Sequence, residues 1–547
     1  MTELHYLSIA QAADLIRTRA LSPVELTRAL LERADCFDGQ LNSYITRTAD
    51  LAMRQAQDAE RTIVKGGYRG PLHGMPYGLK DLIDTQGILT TGNSRTQQHN
   101  VPASDATVVS RLRDAGAVLL GKQTAHEFAH GGPSFDLPWP PARNPWNPEC
   151  FTGGSSSGSA AGVAAGFMPV ALGTDTGGSI RTPASFCGLV GLKPTYGLVS
   201  RWGIMPHSFS LDHCGPLTRT VEDSALVLQA IAGHDPRDPA SVKTTIPDYR
   251  AALGQSVKGL RIGVLRHMWE EDNPAGEELR QATEAAISVL KDLGAQVETA
   301  RVQPVQIYSD VKAVICECEA FAVQRPHLAR HLQDYGADYL TQILLALLFQ
   351  GGDYVRAQRH RRVLVREMQP LYEKFDVLVT AGAGPAPRLA DQGAKDALVR
   401  WGQPSATTLF NVTGAPAIML CSGYARNGLP LGIQFAGRPF EEATVLSLGH
   451  AYQRETDWHE RHPLLDAARA AAPLPSPPEA APRDLPRPDD ASCAAIQLLA
   501  ESAGIRLSEA LVWRLAAGIP VVRKILARIP DHGWTDEPSS VFRCLDD

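Results

Sequence analysis

Two glycine-rich runs constrain this chain more than any other feature. Thr152 to Ser159 reads Thr-Gly-Gly-Ser-Ser-Ser-Gly-Ser, and Gly173 to Arg181 reads Gly-Thr-Asp-Thr-Gly-Gly-Ser-Ile-Arg. Glycine admits turns and close backbone approaches that other residues resist, so such runs fold as tight loops with accessible N–H groups. Along Thr176-Gly177-Gly178-Ser179, consecutive N–H groups can converge on one point and stabilise an oxyanion beside a serine nucleophile. The chemistry this suggests is acyl transfer, and each run offers a candidate nucleophile.

The 547 residues allow one large domain with appendages or two to three domains. A net charge of -6, with 20% charged and 44% hydrophobic residues, fits an ordinary globular protein and gives no polybasic surface for nucleic acid. Nine cysteines are scattered without a C-x-x-C array, and Cys316 and Cys318 are too closely spaced for the usual zinc pattern. Reduced thiols in a cytoplasm are expected. The opening Met1-Thr-Glu-Leu-His-Tyr6 lacks a basic region followed by an apolar one, and no apolar run approaches about 18 residues. The expectation is a protein neither secreted nor membrane-spanning.

Ser8-Ile-Ala-Gln11 and Ser22-Pro-Val-Glu25 match capping boxes, with Pro23 at a first helical position, so two helices should open the chain. Short Val/Ile-rich clusters at Val118 to Leu120, Val170 to Leu172, Ile262 to Leu265 and Val377 to Val379 alternate with helical stretches such as Val221 to Ile231 and Gly276 to Leu293. This alternation predicts an α/β fold around a largely buried sheet. Dense proline between Pro473 and Pro488 predicts an extended linker. Ala491 to Ala503 and Ser508 to Ile529 read as helices beyond it, the second weakened by Gly518 and Pro520. The expected division is a catalytic domain at 1–466, a linker at 467–490 and a helical appendage at 491–547.

Several motifs compete for the chemistry. Lys80, in the largely apolar Gly74 to Asp84 segment, becomes a general base if desolvation lowers its pKa; otherwise it is a surface lysine beside Asp81. Gly154-Ser-Ser-Ser-Gly158 formally matches a nucleophile elbow, but Pro145 and Pro148 argue against the preceding strand that an elbow requires. A phosphate-cradling loop lacks the Lys-Ser/Thr of a P-loop. A third reading makes these serines a relay between Lys80 and Ser179. His126-Glu-Phe-Ala-His130 matches H-E-x-x-H, the zinc-protease pattern, although Gly131-Gly-Pro133 leaves little room for the helix it needs. Five arginines from Arg356 to Arg366, with Val355, Leu364, Val365 and Met368 as the apolar positions, predict an amphipathic helix with a solvated basic face.

The runs Gly153 to Gly162 and Gly173 to Gly188 resemble the amidase signature family. The likeness extends through Gly121-Lys122, Glu127-Phe-Ala129 and Ser210 to Pro216 to Gly432 to Gly437. The resemblance implies a large mixed β-sheet covered by helices on both faces and a Ser-Ser-Lys triad. Ser179 would be the nucleophile, Ser155 the bridging serine after a cis peptide and Lys80 the base, with Thr176, Gly177, Gly178 and Ser179 as the oxyanion hole. It implies an amide hydrolase acting on a small molecule without metal or cofactor, dimeric by family habit. Within the family, the alternative is the glutaminase subunit of a tRNA-dependent amidotransferase. Arg361 aligns with the arginine that holds the glutamine carboxylate there, but Pro404 stands where the acidic partner of its amino group is expected. Phe135, Trp139, Pro140 and Pro141 suggest an aryl or apolar substrate portion, with Gly131 and Trp139 as candidate binding residues. Beyond Pro488 the chain resembles the small accessory subunits of some amidases, here fused and expected to pack on a catalytic domain.

Overall fold

The Val/Ile-rich clusters form strands buried on both faces, the pattern expected where helices cover a sheet from both sides. The structure is a computed structural model and describes residues 3–394, 397–468, 473–474 and 488–531. Eleven strands make one mixed sheet. In spatial order they are Tyr44–Arg47, Val118–Gln123, Pro76–Lys80, Val170–Asp175, His213–Thr218, Val190–Lys193, Ala417–Tyr424, Pro430–Gly437, Val377–Ala381, Arg261–Val264 and Gln296–Thr299. Pro76–Lys80 runs parallel to both its neighbours, so Lys80 comes out at the carboxyl end of a fully buried strand. Ligand sites form outside such strand ends in α/β sheets.

The opening helices follow their local signals. Ser8 and Gln11 close a complete capping box on Ile9–Arg17. Ser22 caps Pro23–Leu41, but its hydroxyl donates to Glu60 and the reciprocal half, a Glu25 side chain on the Ser22 N–H, is not formed. Two expectations are corrected. Arg143–Asn144 and Asn147–Phe151 do form a two-stranded antiparallel ribbon just before the serine run, despite Pro145 and Pro148. A ribbon of two strands leaves outer edges where a missing N–H breaks no ladder bond. The buried positions of the helix Gly351–Glu367 are Ala357, His360, Arg361 and Leu364, while Val355 is exposed.

The tail forms the expected pair of helices, Asp490–Ser502 and Glu509–Arg528. They pack on this chain's own Val305–His331 helix and on the Ala337 to Leu348 segment, and Ile496, Leu515 and Ile525 join the main apolar core. Gly518 lies where an added Cβ would come within 2.8 Å of a Leu345 methyl, so the helix approaches closely there. Arg528 donates to the buried Asp310 at 2.6 Å, and Arg514 to Thr341 at 3.1 Å. Most of the proposed linker and all of Glu537 to Arg543 lie outside the described residues. Among those described, no helix is long and apolar enough to cross a membrane.

Candidate active site

Lys80 is fully buried, not a surface lysine. Asp81, its neighbour in sequence, turns away to pair with the equally buried Lys122 at 3.3 Å. Lys80 Nζ instead lies 2.7 Å from both Ser155 Oγ and Thr174 Oγ1. Burial draws the Lys80 pKa down to about 7, against the opposing pull of Asp175 and Asp212. An amine in that range is partly neutral near pH 7 and able to accept a proton.

Only one serine of the first run reaches Lys80. Ser156 exchanges hydrogen bonds with the Thr174 backbone, Ser157 donates to the Thr124 carbonyl at 3.3 Å, and Ser159 donates to that of Leu172 at 3.3 Å. These hydroxyls tie the turn to the strand ends and leave Ser155 as the polar group facing the lysine. The Gly154–Ser155 peptide is cis. The Ser156 N–H donates to the Ser179 carbonyl at 3.2 Å, which holds the two runs together. Ser179 itself is half-buried.

The loop bearing Ser179 is built around Asp175. Its carboxylate accepts from the N–H groups of Gly178 at 2.7 Å and Ile180 at 3.1 Å, and pairs with Arg181 at 2.9 Å. Arg181 also donates to Gln434 and Asn411. Burial alone would raise the Asp175 carboxyl, but Arg181, Lys193 and Asn411 together hold it well below the usual range. This corrects one expectation. The Gly178 N–H is engaged by Asp175, while those of Gly177 and Ser179 have no partner among the described residues. Gly178 serves the loop through its backbone: its φ is +129°, and a Cβ there would lie 2.3 Å from Thr407 Oγ1. The Thr176 hydroxyl donates to Asp212 at 2.6 Å.

A cavity of about 310 Å³ opens beside this cluster. Thr174, His207, Asp212 and His213 line it, and Trp202 and Phe209, both about half exposed, stand on its wall. The candidate binding residues lie elsewhere. Trp139 lines a separate cleft with His126 and Phe151 that has no room for a water molecule. The Gly131 carbonyl accepts from His126 Nδ1 at 3.0 Å, and its φ of +70° makes it a turn residue. Arg361 is buried outside the cavity lining and donates through Nε to the Val412 carbonyl at 2.8 Å.

The H-E-x-x-H match does not form a zinc-protease helix. Glu127–Ala129 is one short turn, with Phe128 at φ 44° and Ala129 at φ 64°, so His126 and His130 do not share a helical face. The His126 ring covers Gly154, where a Cβ would clash at 2.1 Å, and burial lowers its pKa to about 3. Glu127 takes hydrogen bonds from Ser94 and the Gly336 N–H, and burial raises its carboxyl to about 8. His126 braces the serine turn, its backbone N–H donating to the Ser155 carbonyl at 3.0 Å. Sequence reasoning missed Thr174, Asp175, Arg181, Asn411 and Asp212 as site residues, because their roles depend on partners up to 236 positions away.

The Amidase family matches residues 25–446. One relative, from Moorella thermoacetica, belongs to the glutamyl-tRNA(Gln) amidotransferase as one of its subunits. It is 39% identical over 491 residues, covering 85% of this chain and 100% of that protein. One similar solved structure is described as a vestigial protein complex that reveals the evolutionary origins of an s-triazine catabolic enzyme. It shares 32% identity at a TM-score of 0.77, over 82% of this chain and 98% of that one. The native peptide amidase of Stenotrophomonas maltophilia shares 31% identity at a TM-score of 0.74, over 84% of this chain and 99% of its own. With its eleven-stranded mixed sheet and both glycine-rich runs inside the matched region, the chain belongs to the amidase signature family.

Proposed function

We propose that this protein hydrolyses the C–N bond of a small carboxamide through an acyl-enzyme on Ser179. The observation that carries the reading is the 2.7 Å approach of a buried, partly neutral Lys80 to Ser155. Lys80 draws a proton through Ser155, Ser179 attacks the carbonyl, and the N–H groups of Gly177 and Ser179 receive the developing oxyanion. Ser155 then protonates the leaving amine, and water releases the carboxylate by the reverse relay. Esters and carbamates are within reach of the same acyl-enzyme chemistry. Trp202 and Phe209 beside the cavity support a substrate with an apolar or aryl portion.

A second reading, a glutaminase component of a tRNA-dependent amidotransferase, is favoured by the 39% identity to the Moorella protein along that protein's whole length. Against it, Pro404 carries no charge for a glutamine ammonium. Lys312, whose Cε would lie 3.2 Å from a Cβ added at Gly177, places a like charge near the nucleophile loop. The eight described cysteines are free thiols, which supports a cytoplasmic setting. We also propose a homodimer, checked by light scattering.

The deciding experiment is a panel of aliphatic and aryl amides, esters, carbamates and glutamine, with product identification, for wild type and Ser179→Ala. Wild type should release acid plus ammonia or amine from non-glutamine amides, and the variant should lose about 10³-fold or more in kcat. Full activity in Ser179→Ala removes the mechanism; activity on glutamine alone establishes the second reading.

A further inference from the structure

Beside the cavity, three side chains from distant parts of the sequence converge. His130 follows the Val118–Gln123 strand, His207 lies between the Val190–Lys193 and His213–Thr218 strands, and Cys316 is in the Val305–His331 helix. One ligand atom from each lies within 4.8 Å of the others, and this is the grouping with metal-binding potential found among the described residues. His207 Nε2 is 3.0 Å from Cys316 Sγ, and the two imidazole centroids are 4.5 Å apart. All three residues are at most 5% exposed. None is used in the proposed hydrolysis.

The surroundings are polar in a way that protein partners do not satisfy. His130 Nε2 faces Glu317 Oε2 at 3.0 Å, and His207 Nδ1 is buried with no hydrogen-bond partner among the described residues. Buried polar atoms left unpaired are uncommon in native proteins. Glu317 is itself oriented, because its other oxygen accepts the Trp401 indole N–H at 2.8 Å. A carboxylate against the outer nitrogen of a histidine is the usual support for a metal-bound imidazole. One thiol and two imidazoles, with a carboxylate alongside, suit a borderline-soft cation of tetrahedral preference.

We propose that His130, His207 and Cys316 form a binding site for Zn²⁺, with Glu317 orienting His130. The site shares no residue with the H-E-x-x-H reading except His130. It pins together three segments beside the cavity and takes no part in the serine chemistry. Metal binding deprotonates the thiol and leaves a zinc–thiolate bond, with the proton released to solvent.

The test uses the full chain, freed of metal by chelation and titrated with Co²⁺. Wild type should bind one equivalent with a thiolate-to-cobalt charge-transfer band, bleached on adding Zn²⁺. Cys316→Ser should abolish the band, whereas Cys318→Ser, altering the neighbouring thiol, should retain it. Glu317→Gln should weaken binding about 10–100-fold. Should Cys316→Ser fail to fold by circular dichroism, His207→Gln replaces it and should likewise lose stoichiometric binding. No charge-transfer band in wild type, or an unchanged band in Cys316→Ser or His207→Gln, overturns the proposal. None of these readouts depends on amide hydrolysis.

Discussion

Lys80 shows what a residue gains from where its strand ends. The same side chain on a surface would remain an ammonium through neutral pH, but burial brings its pKa to about 7. The proposed base acts without its proton, so kcat/KM should rise with pH through about 7 and level off above it. Below that point it should fall roughly tenfold per unit. A pH profile on any turned-over amide checks this, and a flat profile between pH 5 and 8 would rule Lys80 out as the base. Ser179 and the serine run were legible as candidates from their local glycine-rich motifs, whereas the choice of Ser155 and Lys80 came from the family resemblance, the Lys80 segment alone leaving a surface lysine open. Thr174 and Asp175 were not legible, although they lie in the same motif as Ser179, since only the folded chain shows that Thr174 meets Lys80 and that Asp175 engages the Gly178 N–H.

Among the elements, the short helix Ser157–Ala164 is held by contact with backbone rather than by an amphipathic face. Gly158 donates to the Thr124 carbonyl at 2.8 Å, and a Cβ at this position would lie 2.3 Å from the Ser43 carbonyl oxygen and 2.6 Å from the Thr124 nitrogen. Backbone on both sides cannot give way as a flexible side chain can. Gly158→Ala should therefore cost about 1–3 kcal/mol of stability and displace Ser155, seen as a lower denaturant midpoint together with a lower kcat. Long apolar strands and well-capped helices were readable because periodicity and caps are properties of adjacent residues. The inward face of Gly351–Glu367 was not, because burying Arg361 relies on the Val412 carbonyl, supplied from elsewhere in the fold. His126 to His130 misled for the complementary reason: spacing matched, but positive φ at Phe128 and Ala129 breaks the helix that gives the spacing its meaning.

At the scale of the molecule, the tail helices are part of the core. Arg528→Ala would leave Asp310 buried without its ionic partner, a loss of about 2 kcal/mol or more. Ending the chain at residue 473 should lower Tm further, measured by calorimetry; an unchanged Tm and oligomeric state would mean the tail is not a structural component. The helical character of this tail was legible from its sequence, but its docking place was not, since apolar spacing names a face and not the surface that receives it. The tail rests on the helix that carries Lys312, Cys316 and Glu317, opposite in role to the strand ends that carry the serines. Because the tail and its seat belong to one chain, docking is unimolecular, governed by an effective concentration rather than by the concentration of the protein. The tail's contribution to Tm should then be independent of protein concentration. The same segment supplied as a separate peptide to the truncated chain would restore stability only in proportion to its own affinity and abundance.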